Sequence, residues 1–119
     1  MIKISVSLFV TLLLAAGACV QPAFRKTITV YLEVKGHQPV TSVGIRGDGK
    51  PLSWESDFPM TPVVKDSLYV ARFTIVTGYK TGEIKFTVND EFELKDQPNR
   101  VIALPDTDSM VYRAVFNEL

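Results

Sequence analysis

The sequence predicts an all-β domain, an immunoglobulin-like antiparallel β-sandwich of about seven strands. Three observations lead there. Apolar and polar residues alternate with period two over short runs, and turn residues punctuate those runs at roughly ten-residue spacing. No segment longer than about two turns carries helical periodicity, which leaves a sandwich of short strands as the matching architecture. The first run, ITVYLEVK (28–35), sets Ile28, Val30, Leu32 and Val34 against Thr29, Tyr31, Glu33 and Lys35, the pattern of a half-buried strand.

The remaining elements follow in order. GHQP (36–39) is a turn, and VTSVGIR (40–46) is a second strand rich in β-branched residues. GDGKP breaks the pattern, and a polar loop containing Trp54 follows, ending near FPMTPVV. SLYVARFTIV (67–76) is a long strand with Tyr69, Ala71, Phe73 and Ile75 on one face. After the TGYKTG connection, EIKFTV (83–88) turns Ile84, Phe86 and Val88 inward and leaves Lys85 on the solvent face. NDEFELKDQP reads as a turn, a short strand and another turn, and NRVIAL (99–104) and MVYRAVF (110–116) supply two last strands.

The amino-terminal residues belong to a different category. Lys3 precedes the apolar run ISVSLFVTLLLAAGA, which has the length of a signal-peptide core and is shorter than the ~20 residues of a membrane span. Residues 1–18 are therefore expected to be an export signal, 19–26 a tether, and 27–119 a single β-sandwich domain. Cys19, the one cysteine, follows Ala16-Gly17-Ala18. That context resembles a bacterial lipobox, in which the cysteine becomes the lipidated first residue, although Ala16 stands where leucine is usual. Ordinary signal cleavage after Ala18 remains the other reading. Both place the chain outside the cytoplasm: periplasmic, or at the outer membrane or cell surface, the first with a lipid anchor.

The chain offers little for catalysis. His37 is the only histidine and falls in a turn. One histidine and one cysteine do not make a conventional zinc site. The acidic pairs Asp90–Glu91 and Asp106–Asp108 sit in turns, where such residues hydrogen-bond locally. No serine has a nucleophile-elbow context and no glycine-rich phosphate loop occurs. Thirteen basic residues balance thirteen acidic ones with no basic stripe, which argues against nucleic acid. Neither an enzyme nor a cofactor-bound protein is expected, and no metal.

The order of short motifs carries more. Val43 to Gly47, Leu52-Ser53-Trp54, Leu68-Tyr69, Ile84-Lys85-Phe86 and Asn99-Arg100 occur in a sequence that resembles the starch-binding domains of carbohydrate-binding module family 20, over roughly residues 27 to 116. The resemblance implies a non-catalytic module that binds starch- or glycogen-type α-glucan or a related polysaccharide. It implies Trp54 as a stacking platform, Lys85 as a cationic donor and Asn99 as a polar clamp. Leu94 stands where the family has a second tryptophan, and Phe92 replaces it only if the loop is shifted by two residues. The tyrosines of the family's second site have no counterpart in GHQP or MTPVVKD. From the residues alone, Trp54 has two readings, a packing anchor at the sandwich edge or an exposed platform. The alternative function is a structural or protein-interaction sandwich that has lost sugar binding, with protein partners in place of a glycan.

The lipobox reading is checked at the terminus. Mass spectrometry of the protein from its native host is expected to show cleavage before Cys19 and a diacylglycerol on its sulfur, with further acylation making the anchor stable. An unmodified terminus at another residue counts against it.

Overall fold

The structure is a computed structural model that describes residues 22–119; the signal segment and Cys19 lie outside the described residues. Among the described residues nine strands follow one another: β1 (Phe24–Glu33), β2 (Val43–Gly47), β3 (Phe58–Pro59), β4 (Thr61–Val64), β5 (Leu68–Thr77), β6 (Thr81–Val88), β7 (Glu91–Phe92), β8 (Arg100–Ala103) and β9 (Ser109–Val115). They form two sheets, one in the order β4-β5-β1-β9 and one in the order β3-β2-β6-β7, with β8 also on β6. The β-sandwich expected from the sequence is the fold.

The core lies between the sheets, where the period-two pattern put it. Ile28, Val30 and Leu32 from β1, Phe73 from β5, and Ile84, Phe86 and Val88 from β6 are all buried. Ile45 and Ile102 join them from β2 and β8. Alternation of this kind sends one set of side chains inward and the other to solvent, so the register follows from the apolar positions.

Three departures from the sequence reading have physical causes. First, β1 starts at Phe24, inside the stretch expected to be a tether. Lys26 is buried there, and its ammonium donates to the carbonyls of Pro105 and Thr107, the latter at 3.1 Å. A lysine reads as solvent-facing in sequence, but carbonyls from a distant loop satisfy this one. Second, two more strands emerge from FPMTPVV. The prolines that break the pattern stand in β3 and β4, the edge strands of their sheets, where a missing N–H disturbs no ladder. Between them buried Met60 donates its N–H to the Val43 carbonyl at 2.9 Å as the chain passes from one sheet to the other. Third, β9 pairs with β1 in parallel, from Thr27↔Ser109 to Glu33↔Val115, while all other strand pairings are antiparallel. The 104–108 segment carries the chain across from β8, and the Lys26 contacts and the Thr27 N–H to Asp108 O bond at 2.9 Å fix its arrival.

β2 begins at Val43 rather than at residue 40. The Thr41 and Ser42 amides are taken by the Asn89 side chain at 2.7 and 3.4 Å, and Asn89 also donates to Pro39 O. One side chain just beyond β6 thus replaces the ladder for the segment leading into β2.

Phe86 is fully buried at the centre of the core. Phe86→Ala is expected to lower stability by about 3–5 kcal/mol in urea unfolding; a loss below about 1 kcal/mol would contradict its place between the sheets.

Candidate functional site

The outer face of the second sheet is built by the outward positions of β2 and β6. Arg46 of β2 lies opposite Lys85 of β6 in the ladder, a like-charge pair that is unfavourable unless a carboxylate stands nearby. Asp57 supplies it. The Arg46 Nε donates to Asp57 Oδ1 at 2.7 Å, and Arg46 Nη1 donates to the Trp54 carbonyl at 2.9 Å. The other oxygen of Asp57 accepts the Thr87 hydroxyl at 2.9 Å. The loop between β2 and β3 is therefore folded back over the sheet and clamped at two points.

Gly44 makes this approach feasible. A Cβ built there would stand 2.4 Å from Asp57 Cγ, so Asp57 occupies the volume a side chain would need. The clamp fixes the backbone of Trp54, whose ring is half-buried, intermediate between the two readings of the sequence.

Trp54 forms one side of a cleft of about 340 Å³ together with Lys85, Phe92 and Asn99, and with Glu93, Lys95 and Asp96 around them. All three residues implied by the resemblance thus border one depression, although they come from three separate segments. Lys85 Nζ donates to the Gln97 carbonyl at 3.0 Å, which ties the loop carrying Asn99 to the β6 strand. An ammonium has three donors, and among the described residues this bond engages one of them.

The second ring of the cleft is Phe92, not a residue at position 94. Phe92 pairs with Thr87 across β6 and β7 and is 46% exposed, with the Arg46 guanidinium 4.9 Å from its ring centre. Leu94 is buried, in a left-handed conformation (φ 51°), and its N–H donates to Asn117 Oδ1 at 2.8 Å. The cause lies one residue earlier. Glu93 turns inward to a fully buried position, where Arg100 Nε and Nη2 bond its two oxygens at 2.7 and 2.8 Å. That turn leaves Phe92 outside and takes Leu94 in. The Glu93 hydrogen bond and charge hold the Arg100 pKa above its ordinary value, against the opposing effect of burial. Arg100 is a structural residue beneath the site.

No protein-family model matches the chain, and no curated protein matches it at a significant level. The reading of the cleft rests on its own residues. Among the described residues no group of histidine, cysteine and carboxylate side chains is arranged to hold a metal ion.

The sequence reading missed the Arg46–Asp57 clamp, and it admitted Phe92 to the site only with a two-residue shift of the loop. The signal for the first was the cross-strand meeting of Arg46 and Lys85, which becomes visible only with the register. The signal for the second was Glu93, an acidic residue seven positions before Arg100 that pairs with it in the interior.

Gly44→Ala is expected to push Asp57 off the sheet and release the Trp54 loop. Stability should fall by about 1–3 kcal/mol, with a change in the emission of Trp54, the only tryptophan. Unaltered emission and stability would mean that the clamp does not position the loop.

Proposed function

We propose that the cleft binds a starch- or glycogen-type α-glucan, or a related polysaccharide, without catalysing its turnover, in a module exported and held at a membrane by lipid on Cys19. The observation that carries this reading is the convergence of Trp54, Phe92, Lys85 and Asn99 on one shallow cleft. Pyranose rings present apolar C–H faces that pack on aromatic rings, while their hydroxyls need polar partners. Two aromatic residues bordered by an ammonium and an amide meet both requirements. Phe92 supplies the second ring whose absence at Leu94 was the main departure from the starch-binding pattern.

The site's scale argues for modest affinity. Binding gains from two aromatic contacts must offset the ordering of the glucan and of the lysine side chain. A single short cleft suits repeated weak contacts along a polymer, where several modules on one surface bind with higher avidity.

Titration with maltoheptaose and with glycogen, followed by Trp54 emission and by calorimetry, tests the reading. The emission is expected to shift on binding, and Trp54→Ala and Phe92→Ala are each expected to weaken binding by about 1 kcal/mol, roughly fivefold. The main-chain carbonyl that Arg46 holds is kept in Trp54→Ala, so its unfolding midpoint should change little. Absence of binding at millimolar glucan, or binding that ignores both substitutions, would oppose this reading and favour an interaction module without a sugar ligand.

A further inference from the structure

A second opening lies on a different part of the molecule, between the two sheets. It is a groove of about 760 Å³, within the size range of ligand sites. Its floor is core: Phe73, Ile84, Ile102 and Leu104 line it. The groove exists because of two vacancies along the same edge.

The first vacancy is in the first sheet. β1 pairs with β5 over the whole of Leu68–Thr77, but β4 on the other side pairs only with Leu68, Tyr69 and Val70. At Met60 the chain leaves β3 in the second sheet and crosses to the first, where it joins β5 as β4. The Val70 carbonyl accepts the Thr61 hydroxyl at 3.2 Å, so Val70 turns its backbone toward the β4 side. Strand alternation then turns the N–H and C=O of Arg72, Thr74 and Val76 to that same side, where no strand among the described residues pairs with them. The second vacancy is a side chain. The inward positions of β6 run Gly82, Ile84, Phe86, Val88, and a Cβ placed on Gly82 would stand 3.6 Å from Leu104, 3.9 Å from Asp48 Oδ1 and 4.0 Å from Ile102, ordinary van der Waals distances rather than a clash. Glycine at that position leaves the space unfilled.

We propose that this groove takes up an extended peptide segment of another protein by strand addition to β5. The guest strand lies where β4 would have continued, its outward residues bonded to Arg72, Thr74 and Val76 and its inward aliphatic side chains seated above Gly82. The free edge from Ala71 to Thr77 is about 20 Å long at strand rise, enough for a guest of six or seven residues. A strand satisfies both vacancies at once, backbone and apolar, as in other sheet-edge recognition. An acyl chain would fill the cavity and leave the backbone edge unpaired. A second copy of this chain would offer β5, whose inward Phe73 is already packed in its own core. Charge narrows the guest further. Lys50 lines the groove and Arg72 stands just before it on β5, and neither joins an ion pair among the described residues. Asp48, also on the lining, accepts the Glu83 amide at 3.0 Å and keeps its charge, so the rim of Lys50, Arg72 and Asp48 carries one net positive charge. Acidic residues at the ends of an aliphatic strand complement this rim.

The probe is the capped heptapeptide Asp-Val-Thr-Val-Thr-Val-Glu, titrated calorimetrically into the protein, with amide hydrogen exchange read by NMR. Binding is expected to protect the amides of Thr74 and Val76, which are otherwise open to solvent. Methylating the two threonine nitrogens of the peptide removes the bonds those nitrogens donate to β5, and Gly82→Leu fills the groove. Each change is expected to weaken binding at least about tenfold. Trp54 emission should be unchanged in Gly82→Leu, showing that the sandwich and the separate cleft are intact. Thr74→Pro is a third arm, and the methylated peptide keeps the test decisive if that variant does not fold. Equal binding of methylated and unmethylated peptide, or no binding at millimolar peptide, overturns the proposal. So does laurate binding that Gly82→Leu abolishes while the peptide fails to bind, or a dimer of the chain that Gly82→Leu disrupts.

Discussion

The buried pair of Glu93 and Arg100 is the interaction on which this end of the sandwich depends. Glu93 accepts from Arg100 Nε and Nη2, from the Phe86 amide at 3.1 Å and from the Asn117 amide at 3.2 Å. Arg100 Nη2 also donates to the carbonyls of Val115 and Glu118 at 2.8 and 2.6 Å. One ion pair therefore joins β6, the turn after β7, the start of β8 and the segment after β9. Taking two charges out of water is unfavourable unless their hydrogen-bonding capacity is met. Here it is met by main chain, and among the described residues no buried side-chain polar atom lacks a partner. The pair's value is directional: a carboxylate with two fixed oxygens admits only one arrangement of the strands that feed it.

That arrangement decides the surface above it. Because Glu93 must point inward, Phe92 before it points outward and Leu94 after it turns under in a left-handed conformation. The guanidinium of Arg46 then lies over Phe92 while also holding Asp57 and the Trp54 carbonyl. The aromatic cleft is thus a consequence of two arginines, one buried beneath the sheet and one half-exposed upon it. Each acts through planar, multiply donating geometry that a lysine would not reproduce.

The two openings of the molecule differ in kind. The Trp54 cleft sits on the outer face of one sheet, small and bordered by charge. The groove beside β5 opens into the core and is apolar. Its origin is the sheet change at Met60, which closes one half of the sandwich edge with β3 and β4 and leaves the other half with neither. Sheet edges are usually blunted by charge, proline or a covering segment; prolines stand within β3 and β4, whereas β5 has none from Phe73 to Thr77 and Pro51 lines the groove beside it.

The sequence by itself determined the fold class, the inward set of Ile28, Val30, Leu32, Phe73, Ile84, Phe86 and Val88, and the outward direction of Lys85. These are local properties: side chains alternate across a strand, so apolar periodicity states which residues share a face before any partner strand is known. It also brought Trp54, Lys85 and Asn99 under consideration, through the order of short motifs. Tertiary structure alone decided that Phe92 rather than Leu94 flanks them, that Lys26 is buried, that Met60 is a crossing point, and that part of β5 has no partner strand among the described residues on one side. Each of these depends on a group distant in sequence: Arg100 for Glu93, the carbonyls of Pro105 and Thr107 for Lys26, Val43 for Met60. Periodicity is silent about such partners, because a buried charge or a missing neighbour is defined by what the rest of the chain places beside it.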